Sequence, residues 1–226
     1  MLEKIKKLKN NVKSEGFSYI LHAIMWRIPK WLSYYNHSFL LTAPKPKIMT
    51  RKYPGYEVKI AEISDVDLIS EPEIYPKEKM LRRLQKGDSC SLVVKDNNII
   101  AIIWGITPKR IFASDCGAII TIEDDAWFVD GTFTVPEERY KGFHLTCFKS
   151  IHGNFALENR TRILGIIHAD NEISIKAHRR MGFQIIGETS YWILCGISLC
   201  YYKKWPHKTS KFHIFIKRPP QNLDWV

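Results

Sequence analysis

The rhythm of apolar positions changes several times along the 226 residues of this chain. Between Phe17 and Ile28 the apolar residues fall at 17, 20, 21, 24, 25 and 28. That spacing predicts one face of an amphipathic helix, which Pro29 ends. Thr42-Ala-Pro-Lys-Pro-Lys47 reads as a linker. Alternation then predicts a strand over Tyr56–Ile60, and Ser64 or Asp65 can cap a short helix. A longer helix is predicted over Pro76–Gln85, stopped by Gly87. Ser91–Lys95 and Ile99–Trp104 flank Asp96-Asn97-Asn98, a hairpin pattern. Strands are predicted over Ala118–Thr121, Ala126–Thr134 and Arg162–His168. Helices are predicted over Lys141–Ala156 and Ile173–Met181, the second closed by Gly182. Two late strands, Phe183–Ile186 and Ser190–Tyr202, precede a polar tail whose one short apolar stretch is Phe212–Ile216. The pattern therefore predicts a mixed α/β domain over residues 53–205, between an extension and linker (1–52) and a tail (206–226).

The charge of +11 sits at the two ends. Residues 1–52 carry eleven Lys and Arg against two acids, and residues 203–226 carry six against one. The middle, 53–202, has 17 basic and 20 acidic residues, so the central domain is no basic platform for nucleic acid. The lysine-rich start and the tryptophans near the predicted helix suit an anionic membrane surface contacted through residues 1–35. A helix that packs its apolar face on the domain fits the same periodicity equally well. The stretch is too short to span a bilayer and has no signal-cleavage pattern. The five cysteines include no C-x-x-C pair and are odd in number, which points to free thiols in a reducing compartment and to no metal site. Cytoplasmic localisation, peripheral on the inner membrane face if the helix binds lipid, is the expectation.

The stretch from Thr132 to His144 organises the rest. An apolar strand ends at Val135-Pro136, a polar turn containing Gly142 follows, and a helix opens with Phe143, Cys147, Phe148 and Ile151 on one face. The first turn of a helix offers unpaired N–H groups and the positive end of its dipole, a ready anion site. Downstream lies Asn171-Glu-Ile-Ser-Ile-Lys-Ala-His-Arg-Arg-Met-Gly182-Phe183. Together the two stretches resemble the GNAT superfamily of acyl-CoA-dependent N-acyltransferases. The family's phosphate turn, R/Q-x-x-G-x-G/A, is matched by Arg139, Tyr140, Lys141, Gly142, Phe143 and His144, with His144 where Gly or Ala is usual. The family's later motif is matched by Asn171, Ser174, Arg180, Gly182 and Phe183, with His178 at the usual tyrosine. The resemblance covers roughly residues 56–202.

What the resemblance implies is an α/β (α+β) fold. Its central sheet is mixed and mostly antiparallel, with helices on both faces and strands four and five splayed apart, here Ala126–Thr134 and Arg162–His168. Acetyl-CoA or another acyl-CoA is the implied co-substrate. Its pantetheine would lie along Phe133, Thr134 and Val135, and its pyrophosphate on the amides of residues 140–144. Asn171 and Ser174 would order the cleft. The implied reaction is direct transfer of an acyl group to a small-molecule amine. His178 takes the place of the tyrosine that serves as the acid. Asp130 is the first candidate base, sharing a strand face with Thr132 and Thr134, and His168 is the second. Cys147 falls on the core face of its helix and reads as packing. An amino sugar used in bacterial surface-polysaccharide synthesis is the leading acceptor. A protein or peptide N-acetyltransferase and a non-catalytic adaptor of the same fold at a membrane are the rivals.

Overall fold

The computed structural model describes residues 33–43, 53–69, 75–113, 118–156, 158–194, 197–203, 212–215 and 224–225. The strands are β1 Ser33–Ala43, β2 Glu57–Ile60, β3 Ser89–Lys95, β4 Asn98–Ile106, β5 Arg110–Ala113, β6 Ala118–Thr121, β7 Ala126–Thr134, β8 Arg162–His168, β9 Gln184–Leu194, β10 Ile197–Lys203, β11 Phe212–Phe215 and β12 Asp224–Trp225. The α-helices are α1 Lys77–Lys86, α2 Phe143–Ala156 and α3 Glu172–Arg180. Short 3-10 turns occupy Ile63–Leu68 and Pro136–Glu138.

Local chemistry sets several of these boundaries. The β3–β4 turn places Asp96 and Asn97 at φ of 48° and 61°, a conformation that Asp and Asn tolerate better than most residues and that matches the strand twist. Gly87 ends α1 at φ 92°, with its N–H returned to the carbonyls of Arg83 and Leu84. Asn171 caps α3, its side chain accepting from the Ser174 N–H at 3.1 Å.

Nine strands form one sheet in the order β11-β10-β9-β1-β8-β7-β4-β3-β2. Its neighbours are antiparallel except β7 and β8. A small second sheet has the order β12-β5-β6. Helices cover both faces. On one, α2 and α3 bring Phe143, Phe148, Ile151 and Ile175 against Leu41, Trp127 and Ile163. On the other, α1 brings Met80 against Leu92, Ile102 and Trp104, and β5–β6 cover Leu40, Phe128 and Leu164. Burying a Leu, Ile or Phe stabilises by about 2 kcal/mol, so this two-sided core fixes the sheet. At Gly105 the α2 side comes so close that an added Cβ would lie 2.4 Å from Phe155 Cε2.

Strand β1 corrects the domain boundary expected at residue 53. Ser33–Ala43 was expected to be extension and linker, yet it runs between β8 and β9 as an interior strand. Leu40 and Leu41 are buried on opposite faces. Its polar residues disguise it, because two of them find partners across strands: Thr42 Oγ1 donates to the Ile163 carbonyl at 3.0 Å, and Asn36 Nδ2 reaches His168. The late strands also differ from the expectation of a break at 187–189. Strand β9 continues through Gly187-Glu188-Thr189 and ends at Leu194. Glu188 stays on the sheet because it pairs with Lys203 at 3.1 Å and His37 at 3.5 Å, while buried Thr189 meets Cys200 Sγ at 3.2 Å. In the tail, the backbone of β11 extends the large sheet and that of β12 pairs with β5. The helix expected over 17–28 and the membrane contact assigned to it lie outside the described residues. No described helix is long and apolar enough to cross a membrane.

Candidate active site

The sheet opens between β7 and β8. Pairing runs from Ala126↔Arg162 to Phe128↔Leu164 and stops there. The cause lies on the other edge of β7, where Ile103 faces Thr132 and Gly105 faces Val129. Trp104 alone thus opposes the two residues Asp130 and Gly131, a β-bulge that bends the strand away from β8. Gly131 sits at φ 113°, a region closed to ordinary side chains, which explains glycine at that step. These are the splayed strands four and five of the expected fold.

Beyond the bulge, Val135 N–H donates to the Ile100 carbonyl at 2.9 Å. Antiparallel alternation then turns the backbone of Phe133 and Val135 toward β4 and that of Thr134 toward the cleft. Of the three residues expected along a pantetheine arm, Thr134 alone therefore offers backbone hydrogen bonds there. Its carbonyl accepts from Arg139 Nε at 3.1 Å.

The turn into α2 has the form the sequence predicts. Tyr140 and Gly142 have φ of 64° and 92°. The Thr146 N–H returns to the Gly142 carbonyl, so the amides of 143–145 precede the first intrahelical bond. Phe143 wedges against Tyr53 and Tyr56, with ring centroids 4.8 and 4.7 Å away. A Cβ on Gly142 would lie 2.8 Å from Tyr53 Oη. Under the turn, the buried Glu138 carboxylate accepts from Lys141 Nζ at 2.6 Å, Lys95 Nζ at 3.1 Å and Tyr56 Oη at 3.2 Å. The Lys141 bond, with those from Lys95 and Tyr56, holds its pKa down to about 2. Lys141 therefore braces the turn from below, while Arg139 and Tyr140 are exposed.

His144 was expected either to crowd a pyrophosphate or to donate to it. Its ring packs edge-on to Phe148 and His178, centroids 4.8 and 5.2 Å away. Burial, and secondarily the neighbouring His178, push its pKa down to about 3, so it brings no positive charge to the turn near neutrality.

Asp130 stands at the bulge with its carboxylate mostly buried. Arg83 of α1 reaches it twice, through Nη2 to Oδ2 at 2.7 Å and Nη1 to the Asp130 carbonyl at 3.1 Å. Arg83 Nε holds Asp88 Oδ2 at 2.9 Å, and its guanidinium lies 4.1 Å from the centre of the Trp104 ring. Burial outweighs Arg83, and the Asp130 pKa rises to about 6. A carboxylate of that pKa is ionised at neutral pH and basic enough to take a proton.

His168 and His178 are placed differently. His168 Nδ1 accepts from Asn36 Nδ2 at 2.8 Å, with the amide oriented by Ser38 Oγ, which donates to Asn36 Oδ1 at 2.8 Å. The one lone pair of the neutral ring is thereby engaged, which disfavours His168 as a base. His178 is buried among His144, Phe148 and Phe183. Its Nδ1 lies 2.8 Å from the Ser174 carbonyl, so Nδ1 carries the proton and Nε2 the lone pair. Burial lowers its pKa, and the neutral ring has no Nε2 proton to give at pH 7. His178→Phe is therefore expected to keep most of the wild-type turnover, measured as thiol release with an active acceptor. A fall of about a hundredfold or more, with acyl-CoA affinity unchanged, would make His178 the proton donor after all.

Asn171 and Ser174, expected to order the cleft, form the α3 cap, and Ser174 Oγ also lies 3.3 Å from His178 Nδ1. Cys147 is fully buried, with burial pushing its thiol up to about 12, unsuited to nucleophilic attack. Among the described residues, no group of three or more His, Cys, Asp or Glu is placed to hold a metal. Sequence reasoning missed Arg83, Asp88 and Asn36. Arg83 lay inside the helix predicted over Pro76–Gln85, and nothing in that pattern pointed to its partners.

Comparison with protein-family profiles gives no match, and comparison with curated protein sequences gives none. Solved structures do resemble the chain. A Drosophila protein aligns at TM-score 0.50 and 13% identity, over 72% of this chain and 52% of its own. A Novosphingobium aromaticivorans protein assigned to the GNAT acetyltransferase family aligns at 0.48 and 14%, over 70% and 65%. An aminoglycoside N-acetyltransferase in complex with CoA aligns at 0.46 and 12%, over 60% and 92%. The chain spans 52% and 65% of the first two. At these identities the likeness is one of fold: a mixed, mostly antiparallel sheet with helices on both faces.

Proposed function

We propose that this chain is an acyl-CoA-dependent N-acyltransferase that moves an acetyl or similar group to a small-molecule amine by direct transfer. The observation that carries the reading is the joint presence of the Asp130–Gly131 bulge, the cleft it opens, and the Gly142 turn at the end of the same strand. One strand thereby links a buried carboxylate to an anion-binding helix start.

The residues fit an acyl-CoA. The α2 amides and the dipole behind them suit a pyrophosphate, Gly142 lets it approach the backbone, and the Thr134 N–H faces the arm of the cleft. The co-substrate supplies a thioester, an acyl carbon already activated for attack. Asp130 takes the proton from the acceptor nitrogen. The new N–C bond forms as the C–S bond breaks, and the sulfur leaves as thiolate. Arg83 keeps Asp130 oriented across the bulge. An amino sugar remains the leading acceptor, and the membrane role proposed for residues 1–35 is a separate matter for lipid-binding experiments.

Free-thiol release from acetyl-CoA, followed with a panel of amines, tests the reading. Release that depends on the amine, with N-acetyl product detected by mass, is expected. Failure of acetyl-CoA to bind at all would overturn it.

A further inference from the structure

A cavity of about 740 Å³ lies between α1 and the β7 bulge. Asp130, Gly131 and Asp88 line it, and so do Lys79, Arg82, Arg83 and Lys86 of α1. Those four cations stand at i, i+3, i+4 and i+7, one face of the helix, and that face is turned into the cavity. Arg83 is committed to the two carboxylates. Lys79, Arg82 and Lys86 are exposed and follow one another over about 10 Å of helix. Among the described residues four cations meet two carboxylates, so that lining is net positive although it contains the carboxylate assigned to receive a proton from an amine. A wholly cationic acceptor would be repelled by that rim, and a neutral one would leave it without a purpose. A carboxylate is satisfied by one guanidinium, whereas three cations in a row suit the three oxygens and double charge of a phosphate.

We infer that the acceptor is an amine that also carries a phosphate group, seated with its nitrogen at Asp130 and its phosphate on Lys79, Arg82 and Lys86. This rests on the acyltransferase reading for its chemistry, and the cavity's charge gives it the substrate class. The rim also orders the encounter, drawing the phosphate in along α1 so that the nitrogen meets the bulge.

The paired probes are glucosamine 6-phosphate and glucosamine, compared by calorimetry and by thiol release from acetyl-CoA. The phosphorylated probe is expected to bind the wild type at least about tenfold more tightly and to show the same preference in kcat/KM. The exposed double variant Lys79→Glu/Arg82→Glu is expected to lose about a hundredfold in affinity for it, with its melting temperature unchanged. If the phosphorylated probe binds in this manner and no thiol is released, the anionic-acceptor site stands and the transferase reading falls. If thiol is released equally with both probes, or the double variant keeps the wild-type preference, the transferase stands and the phosphate inference is overturned. Binding of neither probe overturns it as well.

Discussion

Asp130→Asn is expected to lower kcat by about a thousandfold while leaving acetyl-CoA affinity within a factor of two or three, the range for loss of a general base. Asn preserves the shape of the bulge and can still accept from Arg83, so the loss reads out proton transfer. In the wild type, kcat/KM should rise with pH until Asp130 is ionised, at about 6, and then level on that limb. The variant should lack this limb. A limb that persists in the variant would assign the base elsewhere, with His168 the next to replace.

A second readout is independent of turnover. The folded-state pKa of Asp130 lies above its ordinary 3.8, so its contribution to stability is fully present below pH 3.8 and is lost as pH rises through about 6. The shift corresponds to something on the order of 3 kcal/mol. Thermal melts of wild type and variant should therefore shift relative to each other between pH 4 and 6 in favour of the variant. Parallel melts would show that the carboxylate is not desolvated.

Gly142→Glu is expected to weaken acetyl-CoA binding by at least about a hundredfold in calorimetry. Three effects act together. A φ of 92° is strained for any L side chain, by roughly 1 kcal/mol or more. The new Cβ would meet Tyr53 Oη at 2.8 Å and push a ring that packs on Phe143. The carboxylate would then stand at the amides proposed for the pyrophosphate and repel it. Gly142→Ala separates these effects, since it keeps the strain and the contact but adds no charge. It should show an intermediate loss, and Tyr53→Phe in the same chain should recover only the part owed to the hydroxyl. Wild-type affinity in Gly142→Glu would remove the turn from the binding site.

The residues that local chemistry controls were legible in the sequence. Asp96-Asn97 announced the β3–β4 turn, and Gly87, Gly142 and Gly182 marked helix ends. The run from Ala126 through Gly142 announced a strand, a turn and a helix, because each step depends on neighbours within a few residues. The splayed strands also followed, from the resemblance, and the pairing of β7 with β8 does stop at Phe128↔Leu164. Strand β1 did not, because Asn36 and Thr42 look like solvated residues until β8 supplies their partners, 132 and 121 positions away. Nor did the roles of the histidines. Sequence position placed His178 at an acid's post, whereas the fold buries its ring among aromatics and directs its one proton to a carbonyl. The rise in the Asp130 pKa and its grip by Arg83 are likewise tertiary, since both require α1 to cross the bulge. The sequence by itself determined most elements between β2 and α3, the glycine turn before α2 and the supply of titratable groups. Tertiary structure decided which of those groups are dry, which are paired and which face the cleft, because desolvation and ion pairing depend on distances between residues far apart in the chain.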